Sequence, residues 1–250
     1  MLTRCARSAG AEPQMVRQTS AGEALVALVA GTPDVLTVEL LRLQVPPSVE
    51  DRPGAIPALR AYAEEARAVR QSGDSFTEAF LETAQRHGDL GDALAVVDFH
   101  QRFSEAAARF VVESHDFTVN LLDTLGAETP ATQMLVVTSE VSTAEGQRHL
   151  PLLDFKLAAS PENDDVARSV ARRLGGGVLV NSGSSYHLYG SRAVPDSELF
   201  DWLLRAQLLS RCVDTRWVTH QLIERKAALR LTRGGSRGVL PVVLDHIPAD

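Results

Sequence analysis

Beyond Gly126 the apolar residues come in short runs, each closed off by glycine, proline or a polar turn. That pattern leaves little room for anything but a set of short strands. Met134–Thr138 and Leu150–Leu157 read as strands separated by the polar connection Thr143–His149. Val178–Val180 and Tyr186–Tyr189 read as two more, joined by Asn181-Ser-Gly-Ser-Ser185. Val213–Val218, Ala227–Thr232 and Val239–Leu244 are further strands or extended pieces. Helices interleave with them. Ser160-Pro161-Glu162 supplies a capping serine, a proline at the first helical position and an acid in the first turn. That helix runs to about Leu174 and stops at Gly175-Gly176-Gly177; another spans about Pro195 to Ser210.

The first half reads differently. Residues 1–19 are polar and rich in alanine and glycine, and form a loose terminus. Ser20-Ala-Gly-Glu23 has the spacing of a capping box, opening a helix to about Ala30. Val35–Val45 fits a strand or a helix and ends at Pro46-Pro47, and Val49–Gly54 is a linker. Ile56–Arg70 and Ser75–Arg86 are helical, and Asp92–Leu125 reads as a long amphipathic helical region striped by Leu94, Val97, Phe103, Phe110 and Val111. Asp98 and His100 sit near that stripe as exposed polar positions. The expectation is an α+β protein: a mainly helical N-terminal region, residues 1–90, followed by a mixed-sheet domain with flanking helices, residues 91–250.

Composition narrows the function classes. The 250 residues are 44% hydrophobic, enough for a core, and no apolar run is long enough to span a membrane. Met1–Arg7 lacks the apolar stretch of a secretory signal, so the expected location is cytoplasmic. Cys5 and Cys212 lie far apart without metal spacing. The net charge of −7 is unevenly divided: residues 168–238 hold twelve basic and five acidic side chains, residues 1–167 thirteen basic and twenty-five acidic. A polyanion therefore meets the C-terminal half, and a basic protein partner the acidic N-terminal half. All basic residues but Lys156 and Lys226 are arginine.

Three segments carry chemistry. Asp154 closes the apolar run Leu152-Leu153-Asp154-Phe155-Lys156, where a charge needs solvent, a partner or a metal. Alternation puts Asp154 and Lys156 on one face. Ser185-Tyr186-His187 follows the small-residue turn at Ser182-Gly183, and Val213-Asp214 supplies a second aspartate after a hydrophobic residue. Each also has a plain structural reading: Asp154 paired with Lys156 or an arginine, a hairpin turn at Ser182–Ser185, a satisfied strand histidine at His187.

In this order the segments resemble the motifs of the archaeo-eukaryotic primase superfamily, whose first motif is acid–hydrophobic–acid at a strand end, whose second is serine-x-histidine and whose third is hydrophobic–aspartate. The resemblance covers about residues 130–247 and implies a primase-like, RRM-like palm domain. It implies Asp154 and Asp214 as catalytic and metal-binding residues, with Ser185, His187, Arg230 and Lys156 on the nucleotide. In such a site hard oxygen ligands hold Mg2+ or Mn2+, and histidine and arginine neutralise phosphate. This chain departs from the motif, with Lys156 where the second acid stands. An ammonium there repels a cation by about 4 kcal/mol at 4 Å for an effective dielectric near 20. A metal would be weakly held, and Lys156 contacts phosphate in its place.

Arg225, Lys226, Arg230, Arg233 and Arg237, interspersed with Gly234, Gly235 and Gly238, suit a loop that follows a phosphate backbone. With aromatics at 5%, a base-stacking platform is poorly supplied; Tyr186 and Trp217 are the candidates, Trp217 favouring the core. The expectation is a catalytically degenerate primase-like domain that binds nucleotide or nucleic acid as a module of a prokaryotic multi-gene, defence-type system. The alternatives are an active metal-dependent nucleotidyltransferase, a primase or polymerase, and a purely structural protein-interaction subunit.

Overall fold

The computed structural model describes residues 18–47, 51–52, 56–69, 76–98, 100–232 and 239–249. Ser20 opens helix α1 (Ala21–Ala30) with the expected capping box: its Oγ accepts the Glu23 N–H at 3.1 Å, and the Glu23 carboxylate accepts the Ser20 N–H at 2.7 Å. The segment left between strand and helix is strand β1 (Val35–Gln44). It lies inside a five-stranded sheet, antiparallel to β2 (Ala108–Glu113) on one side and to β3 (Gln133–Thr143) on the other. Val38 and Leu40 point into one core, Leu41 and Leu43 into another. Burial on both faces explains why β1 shows no clean polar alternation. The far edge of β3 is shared by β4 (Gly146–His149) and β8 (Ala228–Arg230).

A second sheet holds four antiparallel strands in the order β5 (Leu152–Asp154), β7 (Tyr186–Tyr189), β6 (Gly177–Asn181), β9 (Val242–Ile247). Its Leu153, Leu179, Tyr186 and Leu188 pack against α6 (Pro161–Arg173), α7 (Asp196–Gln207) and α8 (Thr215–Glu224). Its opposite face, with Leu152, Val178, Val180 and Tyr189, meets the five-stranded sheet, α1 and α5 (Val119–Ala127) in one cluster. The four-stranded sheet thus lies between its own helices α6–α8 on one face and a core shared with the five-stranded sheet, α1 and α5 on the other. Glycine is required where α6 turns into β6. Gly177 has φ 136°, and a Cβ there would stand 2.1 Å from the Tyr189 carbonyl oxygen.

Helices α2 (Pro57–Val69), α3 (Phe76–His87) and α4 (Leu90–Val97) share a separate small core of Leu59, Ala63, Ala66, Phe76, Phe80, Ala84 and Ala93. The expected boundary near residue 90 does not coincide with a break in the fold, because β1 runs through the interior of a sheet built otherwise from residues 108–230. The long helix expected over Asp92–Leu125 is replaced by α4, a 3-10 turn at Phe103–Glu105, β2 and α5. Phe110 and Val111 belong to β2, where they face opposite sides. The strand expected over Val213–Val218 is a single bridge at Val213 followed by α8. Among the described residues no helix is long and apolar enough to cross a membrane.

Candidate nucleotide-binding cleft

The three motif segments lie side by side. β5 pairs with β7 so that Asp154 stands opposite His187, with His187 Nε2 3.7 Å from Asp154 Oδ1. Residues paired across antiparallel strands share a face, so both side chains are on the side turned toward the five-stranded sheet, with Leu152 and Tyr189. On the other side of β5, Phe155 bridges to Val213. The Lys156 N–H donates to Cys212 O at 2.8 Å, and the Asp214 N–H donates to Asp154 O at 3.1 Å. The order across the sheet is Asp214, Asp154, His187. Backbone hydrogen bonding therefore brings together residues 60 positions apart.

The side chains have different tasks. Lys156 is exposed, Asp154 half-buried and His187 buried. Asp214 is the N-cap of α8, and its Oδ1 accepts the Trp217 N–H at 2.9 Å. Ser185 Oγ lies 3.1 Å from Ser182 Oγ, and Ser185 O accepts the Ser182 N–H, closing the turn before β7. Arg230 comes from β8 in the other sheet and is buried. Its guanidinium donates to the carbonyls of Ser182 (2.9 Å), Thr232 (2.7 Å) and Val239 (3.2 Å). It braces the serine turn from the other sheet.

Tyr189 completes this face and was not singled out from the sequence. It is buried, and among the described residues its hydroxyl has no hydrogen-bond partner. Burial pushes its pKa well above the phenolic range; Asp154 adds to the rise and the Arg230 charge opposes it. Both charges therefore act on one hydroxyl. Tyr186, on the opposite face, is fully buried and unavailable for stacking. Its hydroxyl donates to Asp164 Oδ1 at 2.7 Å and accepts the Ser160 N–H at 2.9 Å, fixing the start of α6. Trp217 packs against both large cores.

Among the described residues no group of three or more His, Cys, Asp or Glu is placed to hold a metal ion. Of the two aspartates, Asp214 is engaged in capping, and Lys156 stands two residues after Asp154.

The basic run divides. Arg225 is exposed at the C-cap of α8 with φ 58°. Lys226 is buried, its Nζ 2.5 Å from Glu39 Oε2 and 3.1 Å from Glu140 Oε2. Glu39 also binds Arg109 at 2.8 Å and Thr138 Oγ1 at 2.9 Å. An ammonium held by two carboxylates inside the fold is a structural cation, not the phosphate contact expected of it. Arg233 and Arg237 lie outside the described residues.

Two further clusters were not legible locally. His100 Nδ1 and His220 Nδ1 are 2.7 Å apart, while His100 Nε2 meets Glu224 Oε1 at 2.6 Å. His100 is thus no exposed helix position but part of a junction between α8 and the residues after α4. The spacing of His220 and Glu224 on one helix face was the readable half of that signal. Ser139, His149 and Asp196 have the order of a hydrolytic triad, at 2.9 and 2.8 Å. Ser139 is fully buried, however, and its Oγ accepts the Ala227 N–H, so no substrate reaches it.

Comparison with curated proteins and with solved structures gives no match. A family model does match residues 113–239, the stretch that contains β3 to β8 and all three motif segments: AEP-like, archaeo-eukaryotic primase 1D-like. On that match, which covers half of its length, the chain belongs to the AEP-like family of archaeo-eukaryotic primase domains.

Proposed function

We propose that this primase-like domain binds nucleotide, or the phosphates of a nucleic acid, without catalysing nucleotidyl transfer. It would serve as a recognition module beside partner proteins in a prokaryotic multi-gene, defence-type system. The observation that carries the reading is the cleft's donor set. Asp154 and His187 stand paired on the inner face, Asp214 caps α8, and exposed Lys156 takes the remaining acidic place. An exposed ammonium two residues beyond Asp154 supplies the positive charge that a metal ion otherwise brings to phosphate. The multi-gene context is an analogy with degenerate primase-like domains and rests on that alone.

The test pairs binding with turnover. A labelled oligonucleotide and a labelled nucleoside triphosphate are titrated at several salt concentrations, and template extension is followed with Mg2+ and Mn2+. The expected results are salt-sensitive binding, at least about tenfold weaker binding in Lys156→Glu, and no extended product. Product that disappears in Asp154→Ala would establish an active nucleotidyltransferase instead. Absence of binding to either ligand would leave the cleft a structural relic.

A further inference from the structure

Strand β2 is an edge of the five-stranded sheet: among the described residues it pairs only with β1. Its residues alternate, with Ala108, Phe110 and Val112 half-buried and Arg109, Val111 and Glu113 exposed. Val111 is 66% exposed at the centre of the strand. Edge strands present unpaired N–H and C=O groups, and proteins usually blunt them with proline, charged side chains, a bulge or a cover. The β1–β2 register is unbroken over residues 108–113, β2 contains no proline, and its two charges, Arg109 and Glu113, are of opposite sign. The Ser114 N–H donates to Leu36 O at 2.7 Å. Counting back in twos from that bond, Arg109, Val111 and Glu113 turn their backbone groups away from β1.

The sequence of this edge is self-complementary. An antiparallel pairing of β2 with a second β2, centred on Val111, sets Val111 against Val111. It sets Arg109 against Glu113 at both ends, and Phe110 against Val112 on the inner face. Opposite charges and aromatic–β-branched pairs are favourable cross-strand neighbours. The residues with outward backbone groups are also those that become hydrogen-bonded pairs in this register. Arg109 already holds Glu39 Oε1 at 2.8 Å, but a guanidinium has five N–H donors and can accept a second carboxylate. From this agreement of backbone direction, charge and shape we infer that β2 is a homodimerisation edge: two copies of this chain join their five-stranded sheets across a two-fold axis at Val111. A six-residue strand pair alone buries less than the roughly 800 Å2 per partner of a standard interface, so the dimer is concentration-dependent.

Sedimentation velocity over a micromolar to near-millimolar range, on the full chain, is expected to show a monomer–dimer equilibrium. Val111→Lys should raise its dissociation constant at least about tenfold, a loss of about 1.4 kcal/mol, with the circular dichroism spectrum unchanged. An independent readout uses cysteines in a Cys5→Ser, Cys212→Ser background. Across the axis the two Val111 Cα atoms would lie about 5.5 Å apart, within the roughly 4.4–6.8 Å a disulfide bridges. Val111→Cys should therefore cross-link on mild oxidation and Glu113→Cys should not. A chain that stays monomeric throughout, a dimer indifferent to Val111→Lys, or equal cross-linking at both positions would overturn the inference.

Discussion

Glu39 holds three partners at once inside the fold, the ammonium of Lys226, the guanidinium of Arg109 and the hydroxyl of Thr138. Removing one member of a buried ion pair leaves the other uncompensated, which costs about 3–5 kcal/mol. Arg109 and Thr138 still hold Glu39 without the ammonium, so Lys226→Met is expected to destabilise the protein by less than that amount in urea denaturation, while leaving the salt dependence of oligonucleotide binding unchanged. A stable variant with weakened binding would instead return Lys226 to the phosphate-contacting role its sequence neighbours suggested. Tyr189 gives the opposite sign. Its buried hydroxyl has no hydrogen-bond partner among the described residues, and such a group costs about 1–3 kcal/mol of desolvation. Tyr189→Phe should be at least as stable as the parent; loss of triphosphate affinity in that variant would show the hydroxyl reaching ligand. Asp214 separates two tasks. Asparagine caps a helix as well as aspartate does, whereas alanine costs about 0.5–2 kcal/mol. Asp214→Asn should keep the stability of the parent and Asp214→Ala should lose that increment, read from the same denaturation curves.

At the scale of elements, α8 joins the cleft to the helices before it. It starts on Asp214 and ends on Glu224, whose Oε2 accepts the Phe103 N–H at 2.9 Å. Between them, burial holds the His220 imidazole below its ordinary 6.5, and the charges of His100, Arg216 and Arg52 lower it further against the pull of Asp214. A folded pKa below the unfolded one means that the unfolded chain binds the proton first. The stability gained by keeping His220 neutral is complete above about pH 6.5 and is lost as pH falls through the folded value. Between pH 7.5 and 5 the thermal midpoint of the parent should fall more steeply than that of His220→Gln; parallel profiles would remove His220 as the cause. This helix also shows where reading the sequence ran short. Val213-Asp214 was legible as a motif, but Val213–Val218 read as a strand or extended piece, as its β-branched and aromatic residues favour. The capping aspartate and the packing of Val218 and Trp217 between two cores overrode that preference. The capping signals of α1 and α6 were legible because they are local. β2 was not, because its alternation becomes visible only once β1 is beside it.

At the scale of the whole molecule, two sheets face each other across the main core, while α2–α4 form a small core of their own. That unit is tied to the rest by contacts such as Arg216 to the Val97 carbonyl and His100 to His220 and Glu224. Few buried apolar contacts mean a lower cost of local opening. Native-state hydrogen exchange should show the amides of Leu59–Ala66 exchanging at lower free energy than those of Leu135–Val141. Equal protection would mean that the whole chain unfolds as one unit. The order of the motif segments was legible at this scale because a sheet must place them somewhere. Their convergence rests on hydrogen bonds such as Asp214 N–H to Asp154 O, which no spacing in the sequence reveals. The claim on which the rest turns is that Lys156 replaces a metal ion in meeting phosphate. Calorimetric titration of a nucleoside triphosphate into the full chain, in excess Mg2+ and again in chelator, measures it directly. The account predicts affinities equal within about threefold, which is less than about 1 kcal/mol. Binding that appears only when the metal is present would contradict it.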